Sequence, residues 1–504
     1  MFNPPTATPT VSLLPALVIL IFCITGHVLA QDTAEVPRFE RSDCAIEVPK
    51  SERVECGFLT VRENRTSKST RTIRLPIAIL KSLNPQAKPD PIIRSLGGPG
   101  ASSLRMVRGR RSSPWLDDRD VIIFEQRGTK YSQPALECSE VDRANIESIK
   151  MARDRAASRK HEIAAAKACF DRLRGQGIDL GAYNSRESAA DIEDLRRTLG
   201  YDRVNLYGVS YSARLMLSVM RYFPRGVRSV VLESALPPEV NYDEQGVDAV
   251  VGSLDQMFSS CRASAECNAA YPDLENRFYS VVATLNKRPL VVAAKDSEGA
   301  EAKVSLSGDD FATWIVDYLF SNEPAATVDA PYVIDQAARG NYVEQFRRYA
   351  GDKLGSSSYA LGMRYSVWCG EEMPFESLAE IRRQSTKYSR LRGYEVMSLP
   401  DICDVWRVPR APAIENTPVL SQIPTLVLGA QYDAYTPPEW GRKSAANLSH
   451  SFFVEIPWAG HGPGFSVPCV RDMIAAFFED PSTIPSTSCI VDTKRKFNFT
   501  IKPQ

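Results

Sequence analysis

A serine between small residues, in Gly208-Val209-Ser210-Tyr211-Ser212, is the first feature of this sequence that could do chemistry. It follows the apolar run Val204-Asn205-Leu206-Tyr207 and precedes a helical pattern. A sharp strand-to-helix turn forces a serine into strained backbone geometry and presents its hydroxyl, so the flanking positions must be small. The usual pattern is Gly-x-Ser-x-Gly, and Ser212 stands at its last position. The pentapeptide predicts a nucleophile and leaves an ordinary loop open as the alternative.

An activated serine needs a neutral base within hydrogen-bond reach and a group that orients this base. The chain has four histidines, at His27, His161, His450 and His461. The first lies in the apolar amino-terminal stretch, the second in a helical pattern and the third in a loop before a strand. His461 follows an apolar run and lies between Gly460 and Gly462, which keep a loop histidine free to turn. We therefore predict that His461 is the base.

The orienting acid should follow the strand that precedes the histidine's strand. Asp433 lies in the loop after Thr425-Leu426-Val427-Leu428 and is the predicted acid, although it could also be a turn residue before Thr436-Pro437. The order along the chain is then Ser210, Asp433 and His461. This is the order of the α/β-hydrolase fold, and it differs from the chymotrypsin and subtilisin orders.

Backbone N–H groups must stabilise the negative charge that develops on an attacked carbonyl oxygen. In this chain order, one comes from the residue after the nucleophile and one from an earlier loop. Tyr211 and Gly98, in Leu96-Gly97-Gly98-Pro99-Gly100, are the predicted oxyanion hole. A tight turn without chemical interest is the other interpretation of this glycine loop.

Short apolar runs that end in glycine alternate with helical patterns on both sides of the predicted nucleophile, which is typical of a mostly parallel α/β sheet. These runs include Pro91–Leu96, Val121–Phe124 and Val204–Tyr207, and Val227–Leu232 is a further predicted strand after the helix that follows the serine. Asn184 is a predicted helix cap with Glu187 three residues on, and Gly200 ends that helix. Pro76, inside the alternating run from Ile73 to Ile79, lacks a ladder donor and predicts an edge strand.

The strand pattern stops near Leu236 and resumes near Thr417. The predicted organisation is a signal peptide (1–30), the first part of an α/β-hydrolase domain (31–235), a mainly helical lid insertion (236–417) and the rest of the hydrolase domain (418–504). We call residues 236–417 the lid segment. A separate helical domain is the alternative for this segment.

Composition is ordinary for a soluble globular protein of 504 residues, with 43% hydrophobic and 24% charged residues. The 61 basic and 61 acidic residues cancel, so nothing indicates a nucleic-acid partner. Val11 to Ala30 is apolar, and Val28-Leu29-Ala30 resembles a signal-peptidase site. No Lys or Arg precedes this run, and Pro15 interrupts it, so an uncleaved anchor stays open as an alternative.

Cysteine usage favours export. Cys23 lies in the predicted signal peptide and would be removed with it. Ten cysteines then remain and follow one another in couples along the chain: Cys44, Cys56, Cys138, Cys169, Cys261, Cys267, Cys369, Cys403, Cys469 and Cys489. No spacing suits zinc, so we predict disulfides in an oxidising compartment, paired in chain order, with buried free thiols as the alternative. The predicted location is secreted or periplasmic.

Six segments together resemble the secreted tripeptidyl-aminopeptidase and prolyl-iminopeptidase branch of the α/β-hydrolases, from about Cys44 to Cys489. They are Leu96–Gly100, Glu125–Gly128, Tyr183–Ser185 leading into Asp191, Gly208–Tyr211, Asp433 and Gly460–Gly462. Members of this branch usually have His or Asn where Leu96 stands, Asp where Glu125 stands, and Gly where Ser212 stands. These departures leave the triad complete and bear on substrate preference and rate.

The resemblance implies cleavage from a free amino terminus, which acidic residues near the lid hold. Cys369-Gly370-Glu371-Glu372 is similar to the Cys-x-acid segment of that branch, so Glu371 is the first candidate for binding the ammonium and Glu372 the second. The alternative is that both acids stabilise the positive end of the following helix.

The sequence thus predicts a serine hydrolase that acts on short peptides from the amino terminus. An esterase is the nearest alternative, and an inactive hydrolase-like binding protein is a third. No motif for a metal, nucleotide or flavin is present, so no cofactor is expected. After signal cleavage we expect no stable membrane association, and the oligomeric state stays open.

Overall fold

The computed structural model describes residue 1 and residues 35–49, 53–107, 114–151, 154–296, 299–321, 323–391, 394, 400–496 and 498–502. The predicted signal peptide, apart from Met1, lies outside these residues. The chain divides into two units, Met1–Glu35 and Val36–Gln504, and every element given below belongs to the second. None of the helices in the described ranges has the length and apolar character needed to cross a bilayer.

Nine of the strands in the described chain form one sheet, and two form a separate hairpin. The strands are β1 (Arg38–Arg41), β2 (Val54–Arg62), β3 (Thr72–Leu80), β4 (Ile92–Ser95), β5 (Val121–Phe124), β6 (Val204–Val209), β7 (Val227–Glu233), β8 (Leu290–Lys295), β9 (Glu301–Leu306), β10 (Thr425–Ala430) and β11 (Ser451–Ile456). The order in the large sheet is β1-β2-β3-β5-β4-β6-β7-β10-β11. Pairing is antiparallel from β1 to β5 and parallel from β5 to β11. The predicted mostly parallel α/β-hydrolase sheet is confirmed.

The α-helices of the described chain cover the sheet and fill most of the lid segment. They are α1 (Ser139–Lys150), α2 (Arg155–Gly175), α3 (Ser185–Thr198), α4 (Tyr211–Tyr222), α5 (Tyr242–Ala263), α6 (Ala265–Ala270), α7 (Leu274–Lys287), α8 (Gly308–Phe320), α9 (Pro324–Ala338), α10 (Val343–Lys353), α11 (Leu361–Val367), α12 (Leu378–Lys387), α13 (Pro400–Cys403), α14 (Pro438–Ala446), α15 (Pro468–Glu479) and α16 (Ser488–Lys496). Asn184 caps α3 as predicted, because its side chain accepts the Glu187 N–H at 2.8 Å.

The central strands are covered on both faces. All residues of β4, β5 and β6 are buried, as expected for parallel strands between two helical layers. The carboxyl ends of β4, β6, β10 and β11 therefore point to one edge, and the loops that follow them carry the predicted site residues.

The edge position predicted from Pro76 is wrong, because β3 pairs with β2 on one side and β5 on the other. The pairing with β5 begins only at Ile77. On that side Pro76 lies beyond the ladder, so its missing N–H costs no hydrogen bond there.

The lid segment contains α5–α13, as its helical pattern predicts, and also the hairpin β8–β9. Its boundaries at 236 and 417 stay a prediction. Phe278, Phe311 and Phe346 of this segment are fully buried in a hydrophobic cluster that also includes Tyr432 and Ala434, which follow β10.

The chain-order pairing of the cysteines is confirmed. The disulfides are Cys44–Cys56, Cys138–Cys169, Cys261–Cys267, Cys369–Cys403 and Cys469–Cys489. Four of the five close loops of 12 to 34 residues, which limits the freedom of the unfolded chain.

Candidate active site

Ser210 forms the turn between β6 and α4. Its φ of 62° and ψ of −131° are strained for a residue other than glycine. The turn is tight, because a Cβ on Gly208 would lie 2.4 Å from the Ser212 carbonyl oxygen. The Ser210 N–H donates to the Glu233 carbonyl at 3.0 Å and ties the turn to β7. This is the geometry predicted from the pentapeptide.

Ser212, where the family pattern has glycine, is fully buried. Its hydroxyl has no hydrogen-bond partner among the described residues. The position therefore accommodates a Cβ, and the departure from glycine leaves the turn intact.

The buried Asp433 and the half-buried His461 form a pair in the loops after β10 and β11. The His461 Nδ1 lies 2.8 Å from the Asp433 Oδ2. Asp433 also accepts the Thr436 N–H at 3.0 Å and the Thr436 hydroxyl at 2.8 Å. Burial alone would raise the pKa of Asp433, but the charge and hydrogen bond of His461 and the two hydrogen bonds from Thr436 hold this pKa below its usual value. The acid is therefore ionised and accepts a proton-bearing Nδ1, which leaves Nε2 for the serine.

The lid segment holds the imidazole from its other side. The ring of Phe320, at the end of α8, stacks on the His461 ring with centroids 4.4 Å apart. The Phe320 carbonyl also accepts the backbone N–H of His461 at 3.0 Å. A Cβ on Gly460 would lie 2.2 Å from the Ser321 carbonyl oxygen. The glycine before the histidine is thus required by the close approach of the lid segment, a reason that the sequence does not reveal.

Ser210, His461, Gly97 and Gly98 line one cavity of about 1010 Å³ at the carboxyl edge of the sheet. Within the described chain, no hydrogen bond of 3.5 Å or less joins the Ser210 hydroxyl to the imidazole. In substrate-free hydrolases this bond is often long and shortens in the substrate complex.

The glycine loop packs directly on the nucleophile turn. A Cβ on Gly97 would lie 2.7 Å from the Val209 carbonyl oxygen and 2.8 Å from the Ser210 Cβ. The amide N–H groups of Gly98 and Tyr211 have no acceptor in the part of the chain that the structure describes. Two free donors thus lie close to the serine, as an oxyanion hole requires.

Three side chains fix this loop. Gln126 donates to the Leu96 carbonyl at 2.6 Å, and Arg364 of α11 donates to the Gly98 carbonyl at 3.0 Å. Glu125 is buried and accepts the Leu104 N–H at 3.0 Å and the Ser102 hydroxyl at 3.1 Å. The glutamate that replaces the family's aspartate therefore anchors the loop that follows the glycines.

Glu371 and Glu372 are both buried, and neither lines the cavity. Glu371 accepts the Ser185 hydroxyl at 2.5 Å, and Glu372 pairs with Arg214 of α4. The two acids therefore neutralise a buried arginine, Arg214, which belongs to the helix that follows the nucleophile. As placed, they do not reach a substrate ammonium in the cavity, contrary to our expectation.

Asp317, which the sequence analysis did not single out, is the acid in the described cavity wall. It lies on α8, one turn before Phe320, and is exposed to the cavity. Its carboxylate has no ion-pair or hydrogen-bond partner among the described residues, since Lys353 pairs with Asp310. The protein around the cavity removes part of its hydration and raises its pKa to about 6, and the charge of Lys353 opposes the rise. A lone acid in an otherwise apolar run was the available signal.

No group of three or more His, Cys, Asp or Glu in the described ranges could hold a metal.

Comparisons with known proteins agree with this architecture. A family model for α/β-hydrolases, described as TAP-like protein, matches residues 389–489. The tripeptidyl aminopeptidase of Streptomyces lividans is 23% identical over 90% of this chain and 86% of its own length. The chain has the α/β-hydrolase fold. The predicted resemblance to the tripeptidyl aminopeptidases is confirmed, as is the prediction of an enzyme of the serine-peptidase type.

Two further relatives match a smaller share of the chain. The putative hydrolase YuaR of Escherichia coli is 22% identical over 66% of this chain, and the match spans 65% of YuaR, slightly under two thirds. The serine protease Hip1 of Mycobacterium tuberculosis is 27% identical over 35% of each chain.

Replacing Gly97 by alanine should lower kcat about 100-fold while the protein stays folded, because the new Cβ displaces the loop from the nucleophile turn. Steady-state hydrolysis of an unblocked peptide anilide measures this effect. Gly175→Ala is the matched control, since a Cβ there meets nothing within 4 Å. Equal kinetics for Gly97→Ala and the wild type would show that the loop does not need this close approach.

Proposed function

We propose that the protein is a secreted or periplasmic serine exopeptidase that releases short fragments from the free amino terminus of peptides. The single observation that carries the chemistry is the Asp433–His461 contact, with His461 and Ser210 lining the same cavity. Ser210 attacks the carbonyl carbon, and His461 takes the hydroxyl proton. Asp433 orients the imidazole and stabilises its positive charge.

The N–H groups of Gly98 and Tyr211 are proposed to bind the oxyanion, which favours the tetrahedral intermediate over the flat carbonyl. His461 then gives its proton to the leaving amine, and an acyl-enzyme remains on Ser210. Water, activated by the same imidazole, hydrolyses the ester and restores the serine. Every step uses side chains that line or support this one cavity.

The preference for a free amino terminus is supported by Asp317. An α-amino group has a pKa of about 8 and is an ammonium at neutral pH. Asp317 is an unpaired carboxylate on the lid side of the cavity, so an ammonium would supply its missing partner. We therefore propose Asp317, in place of Glu371 and Glu372, as the group that binds the amino terminus.

Asp317→Asn should raise KM for an unblocked substrate about 10- to 100-fold, the effect of losing one charge-assisted hydrogen bond, with a smaller effect on kcat. In the wild type, KM should also rise as the pH falls below about 6, because the Asp317 carboxylate becomes neutral. The variant should lack this rise. Three tyrosines interact with Asp317, namely Tyr349, Tyr394 and Tyr435. Burial raises the pKa of each above its usual value of about 10, so none of them changes charge in this pH range.

Asp255→Asn is the matched control, because Asp255 is an exposed acid on α5 outside the cavity. Its KM and pH profile should equal those of the wild type. An acetylated substrate should be insensitive to Asp317→Asn. If the variant and the wild type show the same KM at every pH, Asp317 does not bind the amino terminus.

Labelling with a fluorophosphonate tests the nucleophile. The folded, disulfide-intact protein should form one adduct, and peptide mass spectrometry should place it on Ser210. A protein that stays unlabelled beside a reacting control hydrolase would instead be an inactive relative. Faster cleavage of esters than of amides, with no preference for a free amino terminus, would make it an esterase.

The extracytoplasmic location rests on the five disulfides, which form in oxidising compartments. Export with cleavage after Ala30 predicts a mature chain that begins at Gln31. Amino-terminal sequencing of the exported protein checks this position, and a chain that retains residues 1–30 would contradict it.

A further inference from the structure

The described lining of the cavity contains one acid, Asp317 of the lid segment, and Arg364 of α11, which donates to the Gly98 carbonyl. Six further lining residues, which we call the sheet lobe, lie outside the lid segment and include three arginines and no acid. They are Arg94, Arg105, Met106, Trp115, Phe465 and Arg471. The groups that interact with Asp317 and those that surround Arg94 have no member in common.

Arg94 supplies a fixed positive charge at the floor of this lobe. It is only 8% exposed, and its guanidinium lies 4.4 to 5.6 Å from the ring centroids of Tyr207, Phe465 and Trp115. Its Nε and Nη2 have no hydrogen-bond partner among the described residues. The acid that interacts with it, Glu233, is occupied by the Tyr207 hydroxyl at 2.6 Å and the Gly464 N–H. Glu233 offsets part of the Arg94 charge, so an anion that enters the lobe needs a further, accessible cation.

Arg105 is the accessible cation of the sheet lobe. It lies in the short helix Ser103–Val107 that follows the glycine loop, and it is exposed. Its guanidinium has no ion-pair or hydrogen-bond partner in the described parts of the chain. Guanidinium groups bind carboxylates through two parallel hydrogen bonds. Arg105 lines the same cavity as the buried Arg94 and has no partner among the described residues, so it is suited to bind an anion that enters the lobe.

We propose that the sheet lobe binds the terminal α-carboxylate of the leaving fragment, so that the preferred substrates are short peptides with both termini free. This inference rests on the proposed function. With the amino terminus at Asp317 and the scissile carbonyl at Ser210, the leaving fragment extends away from Asp317. Asp317 and the arginines of the sheet lobe then match the two terminal charges of a zwitterionic peptide, and the cavity volume of about 1010 Å³ limits its length.

The test compares kcat/KM for short unblocked peptides that carry either a free carboxylate or a carboxamide at the carboxyl terminus. The wild type should prefer the acid about tenfold or more, as expected for one charge-assisted contact. Arg105→Gln should bring the ratio of acid to amide close to one, and this ratio cancels any general change in turnover. Arg225→Gln, at an exposed arginine outside the cavity, should keep the wild-type ratio.

Three results would overturn the proposal: a ratio near one in the wild type, an unchanged ratio in Arg105→Gln, or an amidated peptide ending in glutamate that is cleaved as fast as the free acid. The last result would mean that a side-chain carboxylate suffices. An unblocked peptide anilide, whose leaving group has no carboxylate, separates this proposal from the proposed function. If the wild type cleaves the anilide and the ratio is one, the carboxylate site alone fails, whereas an uncleaved anilide contradicts the exopeptidase itself.

Discussion

Replacing Ser210 by alanine should lower kcat at least about 10⁴-fold and leave KM within about threefold of the wild type. The hydroxyl contributes the attacking atom, and its loss leaves only the contribution of the oxyanion hole and of substrate binding. The free energy of unfolding should not fall, because alanine also has a Cβ and bears the same backbone strain at a φ of 62° as serine does. Steady-state kinetics and thermal unfolding measure the two effects, and fluorophosphonate labelling should disappear.

Ser212→Ala is the matched control for this experiment. It removes a hydroxyl two residues away, which is buried and has no partner. Its kcat should stay within a few-fold of the wild type, since no hydrogen bond to the site is lost. More than about 1% of wild-type kcat in Ser210→Ala, in protein free of contaminating peptidase, would rule out Ser210 as the nucleophile.

Replacing Arg214 by methionine should lower the free energy of unfolding by about 3 to 5 kcal/mol at pH 7. Arg214 is 2% exposed, pairs with Glu372, and its Nε lies 3.9 Å from the Glu371 Oε2. Without it, two buried carboxyl groups lose their cation. Burial already raises the pKa of Glu371, and Arg214 opposes this rise, so the variant raises that pKa further.

The deficit of Arg214→Met should shrink as the pH falls from 7 toward 4.5. An acid whose pKa is higher in the folded than in the unfolded state binds more protons when folded, so the folded state gains stability as the pH falls. Denaturant unfolding at several pH values measures this trend. Adding Glu372→Gln should recover part of the loss, and Arg225→Met, at an exposed arginine, should change stability by less than about 0.5 kcal/mol. A deficit that is below about 1 kcal/mol or grows at low pH would contradict the ion-pair account.

Much of the site was predictable, because its chemistry depends on local signals. The elbow at Ser210 needs small neighbours and a strand–helix junction, both of which are visible in the sequence. Asp433 and His461 follow their strands at the same sheet edge, so chain order predicts the pairing that the structure has. The cysteine couples, short in separation, also paired as expected.

What the sequence did not reveal depends on contacts between distant segments. Glu371 and Glu372 carry the acid pattern of the family segment, but Arg214 of α4 binds them from 157 and 158 positions away. Pro76 suggested an edge strand. The pairing of β3 with β5 begins only at Ile77, so the sheet tolerates a proline at position 76. The hairpin β8–β9 buries alternate residues in the lid segment, a period-two pattern too short to stand out among helices.

Asp317 illustrates the same limit at the cavity. In the sequence it is one acid within the apolar run Phe311–Leu319, and such a residue normally faces solvent. Only the stacking of Phe320 on His461 shows that this face of α8 borders the site.

The most direct test of the central claim compares two peptide anilides that differ only in the amino terminus, one free and one acetylated. The proposed site predicts a kcat/KM at least about 100-fold higher for the free substrate, because the acetylated one cannot place an ammonium at Asp317. Release of the anilide should require Ser210. Equal kcat/KM for the two substrates, with faster hydrolysis of a matched ester, would contradict an exopeptidase that acts from the amino terminus.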